Sequence, residues 1–119
     1  MSAVAYTVGA TFQDKTLADE WLRWLREGHV ADVLAGGATR AEIIILDNPS
    51  PAFEVRYRFP SREAFARYER EQAPRLRAEG LQRFPVEKGI CYHRSVGVIC
   101  DEFPKTIGEI DLRTAHEPA

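Results

Sequence analysis

The chain has 119 residues, the size of one domain built on a single hydrophobic core. Hydrophobic residues make up 45%, charged residues 29%, and the formal net charge is −2, so no basic excess directs it to nucleic acid or to an anionic membrane. No apolar run approaches the roughly 18 residues of a membrane span, and MSAVAYTVGATF lacks the positive leading segment of a signal peptide.

Ala5 to Phe12 alternates and is rich in β-formers, which predicts a strand. Gln13, Asp14 and Lys15 turn the chain, and Thr16 is placed to cap a helix whose first turn carries Asp19 and Glu20. That helix is expected to run unbroken to about Leu34, where Gly36-Gly37 stops it. AEIIILD, from Ala41 to Asp47, is a short, nearly continuous apolar run of the kind a buried strand shows. NPSP is a loop. FEVRYRF, from Phe53 to Phe59, puts Phe53, Val55, Tyr57 and Phe59 on one face and Glu54, Arg56 and Arg58 on the other.

Ser61 caps a second helix from Arg62 to about Gln72, and Pro74 restarts it as a shorter piece reaching about Arg83. Gly89 to Ile99 is the last strand, with Ile90, Tyr92, Arg94, Val96 and Val98 opposite Cys91, His93 and Ser95. Two cysteines without metal-ligand or CxxC spacing, Cys91 and Cys100, read as ordinary thiols, and the expected location is cytoplasmic. Residues 101–119 are mostly polar and are expected to lie outside the domain of residues 1–100 as a tail. Ile107, Ile110 and Leu112 would dock it as an arm on a partner subunit.

The order β-α-β-β-α-β is that of an α+β, ferredoxin-like domain: a four-stranded antiparallel sheet with two helices on one face. The other face, expected to carry Ile, Val and Thr, needs a cover, and a second copy of the chain is the simplest one. The expected assembly is therefore a homodimer joined through the sheet.

The first helix holds the candidate chemistry. On a helical wheel Leu17, Trp21, Leu22, Trp24, Leu25 and Val33 form one arc, and His29 falls inside it. Asp32, three residues on, is within reach of His29 and would fix its tautomer and raise its basicity. Gly28 leaves room for close approach of the sheet or a ligand. One reading makes His29 a general acid/base over a cavity between helix and sheet, near Tyr6 or Tyr57, with Trp21 and Trp24 as walls and Tyr6 and Tyr57 shaping the site. The other makes it a packed histidine tied to a backbone carbonyl and to Asp32. Arg56 and His93, on the opposite strand faces, are further candidate ligand contacts, since arginines turned into a dimer must find partners. Arg67 through Arg83 reads as a solvated helix face of i,i+4 charge pairs. One helical histidine is too few for a metal site, and no phosphate loop, dinucleotide fingerprint or nucleophile elbow occurs, so no cofactor is expected.

YTVGATF, EWLRWLREGHVADVLAGG, FEVRYRF and SREAFARYEREQAPRLRAEGLQRFP, with the last strand, resemble the DUF4286 family over roughly residues 5 to 98. The most specific pieces run from Trp21 to Val30 and from Ala73 to Leu81. That group in turn resembles the dimeric α/β-barrel superfamily, which implies the ferredoxin-like fold and a dimer. The superfamily includes cofactor-free monooxygenases, haem-degrading enzymes, lactone isomerases, polyketide cyclases and non-enzymatic members, so the resemblance implies no single reaction. Two classes stand side by side. One is a cofactor-free enzyme of monooxygenase, isomerase or cyclase type acting on a hydrophobic or aromatic small molecule. The other is a non-catalytic dimeric module that binds a ligand or a protein.

Overall fold

The computed structural model describes residues 2–104. The expected tail lies outside the described residues, apart from its first four positions, and so does the docking of Ile107, Ile110 and Leu112. Strand β1 (Val4–Phe12) sits inside a four-stranded antiparallel sheet with β2 (Arg40–Ile45), β3 (Ala52–Phe59) and β4 (Ile90–Val98), in the order β2-β3-β1-β4. The register sets Tyr6 beside Tyr57, Ala10 beside Phe53, and Val4 beside Phe59. Because side chains alternate across a strand, these pairs all point to the face that the helices cover. Phe12, Phe59 and Phe84 are almost wholly buried there. Each contributes about 1.5–3 kcal/mol on leaving water.

The helical layer is α1 (Lys15–Trp24), a π-helical turn (Leu25–His29), α2 (Val30–Ala35), α3 (Arg62–Glu71) and α4 (Ala73–Arg83). Two expectations need correction here. The cap of α1 is Asp14, whose carboxylate accepts from the Thr16 amide at 2.9 Å, so the helix starts one residue before Thr16 and Asp19 and Glu20 fall beyond its first turn. The first helix is also not continuous: the backbone leaves helical geometry at Gly28 (φ 176°, ψ −33°), and the chain kinks there within a π turn between α1 and α2. The second arm follows the sequence more closely. Ser61 Oγ accepts from the Ala64 amide at 3.1 Å, and Pro74 opens α4 where its missing N–H costs nothing.

β2 is not a buried strand. Among the described residues it lies at the sheet edge, paired only with β3, and Ile45 is 64% exposed. A run of three isoleucines satisfies the pattern of a two-sided burial, but an edge position leaves it half covered.

The face away from the helices is polar. It carries Thr7, Gly9, Arg40, Glu42, Glu54, Arg56, Arg58, His93 and Ser95, with Ile44 as its one large aliphatic side chain within the paired rows. The expected valines are absent from it: Val4, Val8, Val96 and Val98 share the helix-side parity of Val55. Glu54 and Arg56 pair at 2.7 Å, and Arg58 pairs with Glu102 just beyond β4. His93 lies flat on the backbone of β1: a Cβ on Gly9 would stand 2.1 Å from its ring. Only glycine leaves the space that this imidazole occupies.

Candidate functional site

The π turn builds the site. The Val30 amide reaches back to the Leu25 carbonyl, an i→i+5 bond in place of the α-helical i→i+4. The added residue turns His29 onto the Trp24 indole, with ring centroids 4.2 Å apart and planes 20° from parallel. Trp24 is held from the far side by α4. A Cβ on Gly80 would sit 3.1 Å from its Cη2, a contact tight enough to push the indole outward by a few tenths of an ångström, and Phe84 packs against the same ring at 5.4 Å.

Between this turn, α4 and the sheet lies a half-open cleft with a cavity volume of about 60 Å³. Tyr6, Trp21, Trp24, His29 and Tyr57 all line it. The sequence assigned these five side chains to one site, and the fold brings them together. Trp21, like Tyr6 and Tyr57, is only 3% exposed, and it stacks on Phe53 at 5.9 Å. Tyr6 and Tyr57 lie stacked at 5.9 Å on the cleft floor.

His29 is half-buried. Burial lowers its pKa to about 4, against the opposing charges of Asp32 and Glu79. The imidazole is therefore neutral at pH 7. It makes no hydrogen bond among the described residues. Asp32 is exposed and acts on it through charge alone, in a second depression that His29 and Trp24 also line, with Glu79 and Arg83. The expected His29–Asp32 hydrogen bond is absent because the π turn sends the ring toward Trp24.

Arg56 and His93 are not part of the cleft. Tyr57 faces the helices, so Arg56 faces the opposite side, where Glu54 takes its guanidinium. His93 shares that opposite side above Gly9.

Four further polar side chains line the cleft beside aliphatic ones such as Val8 and Leu76: Tyr68 of α3, Arg77 of α4, and Tyr92 and Arg94 of β4. Arg77 Nη2 donates to Glu69 at 2.6 Å and to the Tyr6 hydroxyl at 3.3 Å, while its buried Nε has no partner among the described residues. Tyr92 donates to the Phe84 carbonyl at 2.8 Å. Burial pushes the Tyr68 and Tyr92 hydroxyls up to about 12 and raises that of Tyr57 further, so all three stay protonated and able to donate. The signal for Tyr92 and Arg94 was their shared parity with Ile90. Nothing in the alternating charges of α3 and α4 separates Tyr68 and Arg77 from their solvated neighbours.

Among the described residues no three His, Cys, Asp or Glu side chains come together as a metal site, and no helix is long and apolar enough to cross a membrane.

The family model DUF4286, a domain of unknown function, matches residues 4–94. No curated protein matches the chain. Among solved structures, a dimeric ferredoxin-like protein from an uncultured marine organism is 14% identical, with a TM-score of 0.64 over 86% of this chain and 99% of its own. SnoaB, a cofactor-independent oxygenase from Streptomyces nogalater, is 10% identical, with a TM-score of 0.62 over 88% of this chain and 100% of its own. A dabb family protein with a ferredoxin-like fold, from Mesorhizobium loti, is 15% identical, with a TM-score of 0.59 over 85% and 100% of the two chains. At these identities the likeness is one of fold.

Proposed function

The chain belongs to the DUF4286 family, and we propose on that footing that it is a homodimeric small-molecule-binding protein acting as a cofactor-free enzyme on an aromatic or hydrophobic ligand, with His29 as the proton acceptor. The observation that carries this reading is the cleft itself. It is concave and largely aromatic, with one neutral imidazole on its wall and protonated tyrosines around it, the composition expected of a ligand site.

The chemistry follows from the state of His29. A neutral imidazole has a lone pair to accept a proton from an acidic O–H or C–H of the ligand. The imidazolium so formed lies near Asp32 and Glu79, whose charges favour it. Burial works against that product and keeps the resting base weak, so the reading suits a ligand whose own proton is acidic. Monooxygenase-, isomerase- and cyclase-type reactions all start with such a proton removal. SnoaB, of the same fold, is named as a cofactor-independent oxygenase, which supports the class without supplying the substrate.

A non-catalytic module calls for a filled subunit core and a fully hydrogen-bonded His29. The open space before the ring and its lack of hydrogen bonds favour the enzyme reading. The dimer rests on the dimeric neighbour and on a sheet face that alternates Arg and Glu, which a two-fold partner can complement.

The test is turnover. Purified protein is incubated in air with a panel of phenols and enolisable aromatic ketones, and products and oxygen uptake are followed. Turnover that disappears in a folded His29→Asn variant supports the reading. Turnover unaffected by the substitution, or none across the panel in protein that binds these compounds, defeats the catalytic role.

A further inference from the structure

Resting on that reading of the cleft, we infer that its ligand is an aromatic carboxylate, bound with its carboxylate between Arg77 and Arg94 and its ring system toward Trp24 and His29. The inference starts from unspent donors. Arg77 engages Glu69 and Tyr6 through Nη2 alone, leaving Nη1 and the buried Nε without a hydrogen bond among the described residues. The Nε is sealed from the cleft, but a third of the Arg77 side chain stays exposed, so the guanidinium keeps donor capacity on its open side. Arg94 lines the same cleft from β4 and pairs with no carboxylate among the described residues.

Both guanidiniums line this cleft, and both counter in small part the effect of burial on the Tyr68 hydroxyl. Glu69 neutralises one of the two positive charges and the second remains, so this end of the cleft has a net positive charge. Asp32 and Glu79 add negative charge near His29 from outside the cleft, and Arg75 already pairs with Glu79. The anionic end of a ligand therefore finds its attraction at the arginines.

The forked, planar guanidinium matches a carboxylate in two-point contact, and the protonated Tyr68 hydroxyl adds a third donor. Between the ends the walls are flat rings, with the Trp24–His29 stack presenting a polarisable edge to an aromatic body. A compact anion such as phosphate would reach the arginines but leave these rings unused.

The experiment compares 2-naphthoate with 2-naphthamide, its uncharged isostere, by calorimetry at pH 7 and low salt, with the Trp24 indole N–H shift as a marker of cleft occupancy. Naphthoate is expected to bind at least tenfold more tightly. Arg94→Gln, at an exposed position with no carboxylate partner to strand, should bring naphthoate down to the affinity of the amide while leaving the amide unchanged. Inorganic phosphate alone should fail to displace naphthoate. Equal binding of the two probes to the unmodified protein, a preference undiminished in Arg94→Gln, or displacement by phosphate at comparable concentration would each overturn the carboxylate assignment while leaving an aromatic cleft. Failure of both probes to bind or to move the indole signal would overturn the cleft reading as well.

Discussion

Trp24 and His29 stack face to face at 4.2 Å, five residues apart along a chain that a regular α-helix would have carried past this alignment. In an α-helix, side chains meet at spacings of three and four. The π turn makes the fifth residue the neighbour, and the functional reading of the cleft depends on that shift.

The pH dependence of stability follows from the state of His29. Its folded pKa, about 4, lies below the ordinary 6.5, so the unfolded chain takes up the proton first as pH falls. The stability held above pH 6.5 is lost between about 6.5 and 4. The full shift corresponds to about 3 kcal/mol, and partial exposure reduces the expected loss to about 2 kcal/mol. Denaturant melts at pH 7 and pH 4.5 measure it. His29→Asn should lose this component, so the two proteins should differ in slope. Parallel pH profiles, or an imidazole that titrates near 6.5 by NMR, would contradict the buried ring.

Trp21→Ala should destabilise the protein by about 3–5 kcal/mol, the cost of removing a buried indole and leaving its volume unfilled. Trp21 is 3% exposed and packs on Phe12 and Phe53. Chemical denaturation measures the loss. A change below about 1 kcal/mol would mean that the ring is not part of the core.

Gly80→Leu should leave a folded protein but close the cleft. The new side chain must displace the Trp24 indole, which stands 3.1 Å from the position of the added Cβ. Helix propensity gains about 1 kcal/mol when glycine is replaced by a better helix former, and this offsets part of the packing cost. Binding of 2-naphthoate should weaken at least tenfold and the tryptophan emission should shift. Unchanged affinity and emission would show that Gly80 does not gate the indole.

Sedimentation at micromolar concentration should give twice the mass of one chain. Glu54→Arg, which sets a like charge beside Arg56 on the open sheet face, should weaken that assembly at least tenfold, while the monomer keeps its fold. A single-chain mass for the unmodified protein would remove the dimer. An unaffected dimer in the variant would move its interface elsewhere.

Much of the fold was legible because the strand patterns are strict. In β3 every second residue is aromatic or aliphatic, and the register with β1 depends on that alternation. β2 misled because three consecutive isoleucines specify burial without saying how many neighbours a strand has. The π turn was hidden for a related reason. Residues 25–29 hold ordinary helix formers and one glycine, and a wheel drawn at a fixed angle cannot register an inserted residue. His29 was still assigned to the cleft, but for an imperfect reason, since its wheel angle pairs it with Leu25 and Val33 rather than with the ring it stacks on. The arginines were the real loss. On α4, Arg75 and Arg77 look alike in the sequence; Arg75 pairs with Glu79 in solvent, while Arg77 turns into the cleft beneath Tyr6. Only the three-dimensional packing separates them.

The cleft draws its walls from both ends of the described chain, Tyr6 on the first strand and Arg94 on the last. No fragment that stops before β4 contains a complete site, so occupancy is a property of the finished fold. A ligand that recognises only that state must stabilise it in proportion to the logarithm of its concentration: a hundredfold excess over Kd is worth about 2.7 kcal/mol. Melting temperature therefore becomes an assay that presupposes no reaction. Compounds can be ranked by how far they raise it, and the native ligand can be sought in cell extracts by the same signal.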